Sequence, residues 1–256
     1  MMDAVFDAIL SYVGYDWAMR HYRTEQTGIH LDNTFSLICW NVHKEMGRTA
    51  FDHILELLVK QREPALILLQ EAVLDQHTGE RFAGYNVSAA VNINLNRRQF
   101  GVLTAAKAPM NEALGLKTKR REMHFATRKS LLITTHPFAD GAELTAVNLH
   151  AINFVAAAAF VEEIDRLLET IRLRSGPMIV TGDFNTWSRK RLEYLQRFAL
   201  AVGLETARFT NGHHIKHRFS KPLDHLYYRD LSLLNAEAVD TRNVSDHNPI
   251  IATFRH

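Results

Sequence analysis

Short apolar runs separated by polar segments dominate the chain from about residue 34 onward. Runs of this length, rich in β-branched, aromatic and aliphatic residues, predict buried strands. The predicted strands are 35–40, 65–70, 100–105, 130–135, 144–149, 178–180, 223–228 and 250–254. Apolar residues recur at helical spacing in 48–60, 155–174 and 188–202 instead. Helices interspersed among short strands, several of them in hairpin-like succession, predict an α/β sandwich with mixed sheets.

The N-terminal segment differs from the rest of the chain. Residues 1–19, MMDAVFDAILSYVGYDWAM, predict an amphipathic helix or a loosely packed extension, and 1–33 is taken as a helical extension before one domain over 34–256. Asp3 and Asp7 stand where a secretory signal has basic residues. Low-complexity linkers and short repeats are not found, which favours a single domain.

The composition fits an ordinary globular protein, with 46% hydrophobic and 23% charged residues among 256. A net charge of +2 does not require a polyanionic partner, although a pI near 8.7 permits one. The single cysteine, Cys39, excludes an intramolecular disulfide and favours a reducing compartment. We also find no apolar run of transmembrane length. These features predict a monomeric, cytoplasmic protein without a transmembrane segment.

Polar residues follow four of the predicted strands. Asn41 follows FSLICW, Glu71 follows ALILLQ, and His150 follows LTAVNL. Asp183 follows MIVTG, with Asn185 two residues later. Asp and Asn disfavour strand interiors, and an unpaired carboxylate is costly in an apolar core. Since α/β proteins place their ligands beside strand ends, these residues predict a site there.

Two further strands contribute polar residues where they begin. Asp224 begins one of them, and Asp246 and His247 precede the last. The start of an antiparallel strand lies at the same edge as its neighbours' ends. An oxygen-rich set of this kind suits Mg²⁺ or Mn²⁺ better than zinc, and crowded carboxylates need a cation or a proton. The chemistry that fits is attack of water on a phosphate ester.

Six motifs carry a resemblance to a known family: WNVHK, LLQEA, VNLHAINF, TGDFNTW, PLDHLYY and TRNVSDHNPI. In this order they resemble the endonuclease/exonuclease/phosphatase superfamily of DNase I-like, metal-dependent phosphoesterases. The spacing is most similar to that of the small bacterial YafD-like branch. The resemblance spans about Thr34 to the C-terminus. It implies a four-layer αββα sandwich of two mixed, mainly antiparallel sheets.

The resemblance also implies roles for the metal and water positions. Glu71 would be the principal metal carboxylate, with Asn41 beside it and Asp246 near the metal. Asp183 would align or deprotonate the attacking water. Asn185 would hold a phosphate oxygen.

The remaining roles concern the phosphate. His247 would contact the scissile phosphate as an electrostatic stabiliser or proton carrier, and Asp224 would orient it, as a carboxylate does in a triad. His150 would hydrogen-bond the phosphate. Where many nucleases of the family have an acidic residue after the first Asn, this chain has His43 and Lys44. That departure argues against a second metal and suggests Lys44 as a phosphate contact.

Several basic and aromatic features leave alternatives open. Arg189, with the two basic residues after it, is either part of a solvated surface turn or a docking site for an anionic substrate. Arg98, with Arg97 before it, and the 117–121 loop are expected to border the mouth of the site. Trp187 is expected to pack beneath its loop, with stacking on a base as the alternative. The histidines of NGHHIKH lack a His/Cys framework, so an ordinary loop is favoured over a metal site.

These observations predict a Mg²⁺- or Mn²⁺-dependent phosphoric ester hydrolase. Its expected substrate is a phosphodiester bond in nucleic acid, DNA or RNA, and Lys44, Arg98 and Arg189 are the expected substrate contacts. The alternative is a phosphatase or phosphodiesterase for lipid headgroups or small phosphorylated metabolites. A non-catalytic binding module ranks last, because it would predict gaps in the acidic set.

Overall fold

A computed structural model describes residues 19–22, 28–95, 98–118, 128–153 and 155–256. Residues 1–18 of the segment 1–19, which was predicted to be an amphipathic helix or a loosely packed extension, lie outside these residues. The described part of the predicted extension contains no helix, because Met19–Tyr22 is a strand that pairs with 86–95. Leu31 is buried in the core. The described residues of 1–33 therefore pack with the domain that was expected to begin at residue 34.

The described residues form fifteen strands, four α-helices and one 3₁₀ turn. In chain order the strands are β1 Met19–Tyr22, β2 Thr34–Asn41, β3 Leu66–Leu74, β4 Asn86–Leu95, β5 Arg98–Ala106, β6 Glu112–Lys117, β7 Ser130–Pro137, β8 Glu143–His150, β9 Met178–Asp183, β10 Glu205–Thr206, β11 His217–Arg218, β12 Lys221–Pro222, β13 Asp224–Arg229, β14 Ser232–Ala238 and β15 Ile250–Arg255. The helices are α1 Thr49–Arg62, α2 Thr78–Arg81, α3 Ala157–Ile171 and α4 Arg189–Val202, and Gly212–His214 forms a 3₁₀ turn.

Two large sheets contain most of these strands. The first has the order β1-β4-β5-β3-β2-β15-β14, and the second has the order β10-β13-β9-β8-β7-β6. Strand pairs β2–β3 and β8–β9 are parallel, and the other pairs of both sheets are antiparallel. Both sheets are therefore mixed, as the sequence predicted.

Alternate residues of β2 show how the layers stack. Leu37 and Cys39 face a core between the two sheets, whereas Ile38 and Trp40 face a second core beneath α1. A third core packs α3 and α4 against the outer face of the second sheet. The order helix, sheet, sheet, helix confirms the predicted four-layer αββα fold, and the burial of Cys39 confirms its predicted place in the core.

The helix ends follow local sequence signals. Ser188 caps α4, with its hydroxyl accepting from the main-chain N–H of Arg191, and Gly203 ends it in the left-handed region at φ 72°. Glu63 ends α1 just before Pro64, which cannot continue a helix. Among the described residues, no helix has the length and apolar character needed to cross a membrane.

Gly182 allows β9 to approach β8 closely enough to align their ends. Its φ is 142°, and a Cβ built there would lie 1.9 Å from the carbonyl oxygen of Leu149. A side chain at this position would push the two strands apart. Gly182 therefore fixes the position of the next residue, Asp183, beside the end of β8.

Candidate active site

The sheet registers bring the predicted strand-end residues to one edge. Asp183 lies opposite His150 in the parallel β8–β9 pair and opposite Asp224 in the antiparallel β9–β13 pair. In the other sheet, Asn41 lies opposite Gln70 in the β2–β3 pair. A cavity of about 530 Å³ opens at this edge. Its lining includes eight predicted site residues: Asn41, Lys44, Glu71, His150, Asp183, Asn185, Asp246 and His247.

Glu71 reaches the cavity from a β-bulge. The sequence predicted that the strand ends before Glu71, but β3 continues to Leu74, so that prediction was wrong. The ladder to β5 shifts register between Leu69 and Ala72, and Glu71 has φ 53°. A bulge leaves extra residues without a ladder partner and re-aims their side chains. This irregularity presents the Glu71 carboxylate to the cavity.

Two lysines and a histidine surround the Glu71 carboxylate. The Nζ atoms of Lys44 and Lys129 lie 3.7 Å from Oε2 and Oε1, respectively. Nε2 of His150 also lies 3.7 Å from Oε1. Burial, followed by the charges of Lys129, His247 and Lys44, holds the pKa of His150 well below its usual value. His150 is therefore neutral near pH 7, and its contact with Glu71 is not an ion pair.

The Asp183 carboxylate is 3% exposed and hydrogen-bonded at both oxygens. Oδ2 accepts from the Nδ2 of Asn41 at 3.1 Å, and Oδ1 accepts from the main-chain N–H of Asn185 at 2.9 Å. Burial raises its pKa to about 6, a rise that the His247 charge opposes and the Asp224 charge supports. Near neutral pH this carboxylate is ionised and close to the pH at which it accepts a proton.

His247 forms a pair with Asp224 behind the cavity wall. Nδ1 of the ring donates to Oδ2 of Asp224 at 2.8 Å, and Nε2 lies 3.9 Å from Oδ2 of Asp183. Burial lowers the pKa of His247, but Asp224, Asp183 and Asp246 outweigh it and raise the pKa to about 9. The indole N–H of Trp40 donates to the His247 carbonyl at 2.8 Å. The ring is therefore an oriented imidazolium that faces Asp183.

Comparisons with family models and known proteins identify the family of this chain. A model of the Endonuclease/Exonuclease/phosphatase family matches residues 38–247. This chain belongs to that family. A UPF0294 protein of Yersinia enterocolitica is 36% identical over 225 residues, which cover 86% of this chain and 83% of the relative. Members of the family are hydrolases that act on phosphoesters.

Two solved structures show the same fold. An endonuclease/exonuclease/phosphatase family protein from Leptotrichia buccalis superposes with a TM-score of 0.67 at 16% identity, over 85% of this chain and 98% of that one. TDP2 of D. rerio, in complex with a single strand DNA product, superposes with a TM-score of 0.61 at 16% identity, over 88% of this chain and 100% of that one. These likenesses confirm the DNase I-like fold.

Enzymes of this family generally use divalent metals. The described residues contain no group of three or more His, Cys, Asp and Glu side chains arranged to hold a metal ion. Mg²⁺ takes one or two protein carboxylates and completes its shell with water. Glu71, with the amide oxygen of Asn41 on the same wall, is a set of hard oxygen donors that fits this mode. Oδ1 of Asn41 also accepts from the main-chain N–H of His43 at 3.1 Å, which fixes its orientation.

Arg191 organises the loop that carries Asn185. The guanidinium is 1% exposed and donates to the carbonyls of Ile152, Asn185 and Val155 at 3.0–3.1 Å. It also lies 4.6 Å from the ring centroid of Trp187. Neither alternative offered by the sequence, a solvated turn or a substrate dock, describes Arg191, because its donors are used inside the protein.

Two predicted substrate contacts do not line the cavity. Arg189 is exposed and pairs with Glu193 on its own helix at 2.6 Å. Arg98 is exposed at the start of β5, and its neighbour Arg97 lies outside the described residues. Within the predicted 117–121 loop, the structure describes only Lys117 and Thr118. The structure thus separates Arg98 and Arg189 from Lys44, which does line the cavity.

Trp187 packs within its loop, and the histidine-rich segment forms a 3₁₀ turn followed by the start of β11. Nε1 of Trp187 donates to Oδ1 of Asn153 at 2.9 Å, and the residue is half-buried in its loop. His213 and His214 lie in the short 3₁₀ turn, outside the cavity lining, whereas His217 lies in that lining.

Sequence reasoning missed Lys129, which contacts Glu71 and lines the cavity. Lys129 immediately precedes β7, whose start lies beside the end of β8. The rule that identified Asp224, a polar residue at the start of an antiparallel strand, would also have identified Lys129. Other lining residues that the sequence did not single out are Asn92, Phe100, Asn153, Lys216 and Arg218.

Proposed function

We propose that this protein is a divalent-metal-dependent phosphodiesterase that cleaves nucleic acid. The observation that carries the proposal is the arrangement of Asp183 and His247, a buried carboxylate and an imidazolium 3.9 Å apart in a cavity with cationic walls. A cavity of this kind can hold a phosphate beside both a base and an electrostatic stabiliser.

Five residues of the site have proposed roles in catalysis or phosphate binding. Asp183, with a pKa raised to about 6, accepts a proton from the attacking water. His247 holds a phosphate oxygen through Nε2–H and opposes the charge that develops there, and Asp224 keeps the ring protonated and oriented. His150 and Asn185 supply further hydrogen bonds to the phosphate.

The proposed metal position is at Glu71, with Asn41 beside it and Asp246 near the ion. Bound Mg²⁺ or Mn²⁺ would supply Lewis-acid stabilisation of the phosphate oxygens. Lys44 and Lys129 contact Glu71 and contribute positive charge on the same wall. A single ion is proposed, because His43 and Lys44 occupy positions where a second metal would need an acid.

The cations around the cavity favour a polyanionic substrate. Lys44, Lys129, Lys216 and Arg218 all line it, and rows of such side chains bind phosphate backbones. The D. rerio TDP2 structure, which holds a single strand DNA product, supports a nucleic acid ester. The second candidate is an ester of a lipid headgroup or a small phosphorylated metabolite. Such a substrate would need only Lys44 and Lys129, the two cations that contact Glu71. A monomeric, cytoplasmic enzyme stays the prediction from the sequence.

The test is a substrate panel with Mg²⁺ or Mn²⁺ and an EDTA control: single-stranded and duplex DNA, RNA, abasic DNA, a phospholipid and a sugar phosphate. Asp224→Asn should lower kcat on the best substrate by at least about a hundredfold. Lys190→Ala, on the first turn of α4 and outside the cavity lining, is the matched control and should leave kcat unchanged.

Each part of the proposal can fail separately. Full activity in excess EDTA, with no metal by elemental analysis, would reject the metal. Equal kcat losses for Asp224→Asn and Lys190→Ala would reject the assigned roles. Arg98→Ala and Arg189→Ala test the remaining predicted contacts, and a long strand is the substrate that can reach them, since both lie beyond the cavity lining.

A further inference from the structure

A two-stranded hairpin stands at the rim of the cavity. Strands β11 and β12 pair His217 with Pro222 and Arg218 with Lys221, which leaves Phe219 and Ser220 as the two turn residues. Lys216, just before the hairpin, reaches Oδ2 of Asp246 at 3.7 Å. The first strand of the hairpin lines the same cavity as the proposed catalytic groups.

The turn places Phe219 in a conformation that a bulky residue rarely adopts. Phe219 has φ 50° and Ser220 has φ 61°, so both central residues are in the left-handed region, as a type I′ turn requires. Asn and Gly favour these positions, whereas a bulky side chain there is an outlier. Such outliers concentrate at functional sites. Turn chemistry alone does not explain a phenylalanine at this position.

Burial of the Phe219 side chain does not explain its backbone conformation either. It is 73% exposed, and among the large exposed hydrophobic residues that the structure describes it is the only aromatic one. Its ring packs edge-to-face with Trp187, with centroids 6.4 Å apart and an interplanar angle of 71°. Trp187 is itself fixed by its hydrogen bond to Asn153 and by the Arg191 guanidinium.

We propose that Phe219 is a stacking platform for an unpaired base of the substrate, beside the scissile phosphate. This inference rests on the proposed function and narrows its substrate to nucleic acid that is single-stranded at the cleavage site. Trp187 contacts one side of the Phe219 ring and the Arg218 guanidinium lies over it, and most of the side chain remains exposed at the cavity rim.

The positive charge at the rim favours a nucleotide over an apolar ligand. The Arg218 guanidinium lies 5.5 Å from the Phe219 ring centroid, and Lys216 and Arg218 both line the cavity. Binding of a single strand combines cations along the backbone with aromatic rings beneath the bases. In a duplex the faces of each base are already covered by its neighbours, so an unpaired base is the one that Phe219 can reach.

The test measures binding separately from hydrolysis. Each hairpin variant is made in an Asp183→Asn background with Mg²⁺ present, and its Kd for a short labelled oligothymidylate is compared with its Kd for the same backbone without bases. Phe219→Asn should weaken binding of the oligothymidylate by at least about fivefold, and Phe219→Tyr should change it by less than about twofold. Neither should change the Kd for the abasic strand. Leu200→Asn is the control, since Leu200 is 78% exposed on α4 outside the cavity lining.

Thermal melts distinguish a binding role from a structural one. Because Asn suits a type I′ turn, Phe219→Asn should melt at the same temperature or higher while it binds the oligothymidylate less well. A lower melting temperature, or an equal loss of affinity for the abasic strand, would overturn the inference. So would Phe219-dependent binding to anionic phospholipid vesicles with an unchanged Kd for the oligothymidylate, which would assign the ring to a membrane surface. Wild-type hydrolysis of the DNA and RNA members of the substrate panel is a separate readout and decides the proposed function by itself.

Discussion

The side-chain amide of Asn148 donates a hydrogen bond to the carbonyl of Leu69 on the opposite sheet, across 3.2 Å. The same amide donates to the carbonyl of Leu103 at 2.8 Å. Leu69 and Leu103 are ladder partners at the point where the register between β3 and β5 shifts. Oδ1 of Asn148 accepts from Nε2 of Gln70 at 2.7 Å. One residue of the second sheet therefore holds the bulge of the first sheet that presents Glu71.

Asn148→Ala should lower both stability and turnover. The change removes the Asn148 donor from the buried carbonyls of Leu69 and Leu103 and the shortest hydrogen bond of the Gln70 amide. Each buried group without a partner costs about 1–3 kcal/mol, so we expect the unfolding free energy to fall by at least about 2 kcal/mol. Glu71 should lose its fixed position, so kcat should fall as well. Urea unfolding and kcat at saturating metal measure the two effects.

Val147→Ala is the matched control for Asn148→Ala. Val147 is adjacent on β8 but faces the core beneath the outer helices, so its truncation weakens packing without touching the bulge. It should destabilise the protein and leave kcat unchanged. Equal kcat losses in the two variants would mean that the Asn148 hydrogen bonds have no specific role at the site.

The bulge at Glu71 is a feature that the sequence could not predict. The buried runs predicted the central strands because their apolar patterns are long and continuous. The motifs predicted the cavity residues because strand ends share an edge. A bulge at Glu71, however, depends on Asn148, which is far away in sequence, and no local pattern records that contact.

Seven of the fifteen strands were missed, and the three longest of them for a related reason. Strands β4, β6 and β14 contain Asn, Gly, Glu or Ala at positions where β-formers are expected. Their neighbours in the sheets supply the pairing that their own propensities do not. Arg191 is a similar case, because its three acceptors lie in loops that the sequence could not place beside it.

Arg191 and Arg189 should respond very differently to substitution, although the sequence presents them as one basic cluster. Arg191→Met would leave three carbonyls without their buried donor, and we expect a loss of at least about 3 kcal/mol in unfolding free energy. Arg189→Met should leave stability nearly unchanged, since Arg189 is exposed and its ion pair with Glu193 is screened by water. Chemical unfolding of both variants at one pH makes the comparison, and equal effects would contradict it.

His136 should make stability fall as the pH drops below about 6.5. Nδ1 of the buried ring donates to the Pro109 carbonyl at 3.1 Å, so Nε2 accepts from the Thr134 hydroxyl at 2.8 Å, and the neutral ring is satisfied. Burial lowers its pKa to about 4 from 6.5. Between these values the unfolded chain binds a proton that the folded chain does not. The folded state therefore loses about 3 kcal/mol as the pH falls through this window.

His136→Gln isolates this contribution, because glutamine can donate and accept but does not titrate. The variant should be less stable than wild type at pH 7. The difference between the two proteins should shrink as the pH falls from 6.5 to 4. His225, whose pKa burial also lowers to about 4, remains in both proteins and cancels from the difference. A difference in unfolding free energy that does not change with pH would contradict the prediction.

Asp183→Asn should remove most of the turnover. Its effect on the melting temperature should change sign between pH 7 and pH 4. Because burial raises the pKa of Asp183 from 3.8 to about 6, the folded state loses stability as the pH rises through this range. Above this pH range, the buried ionised carboxylate lowers the unfolding free energy by about 3 kcal/mol. An amide removes that cost. It also loses the hydrogen bond from Asn41, because two amide N–H₂ groups would face each other, and that loss costs about 1–3 kcal/mol.

At pH 7 in EDTA the relief of charge offsets the lost hydrogen bond, so Asp183→Asn should melt no lower than wild type. Near pH 4 the wild-type carboxyl is already neutral, only the lost hydrogen bond remains, and the variant should melt lower. Turnover with Mg²⁺ should fall by at least about a hundredfold, because the proton acceptor is gone. Thermal melts of both proteins at the two pH values measure the reversal. A large destabilisation at pH 7 would mean that the carboxylate holds the ends of β8, β9 and β13 together, and its assignment as the base would lose its physical support.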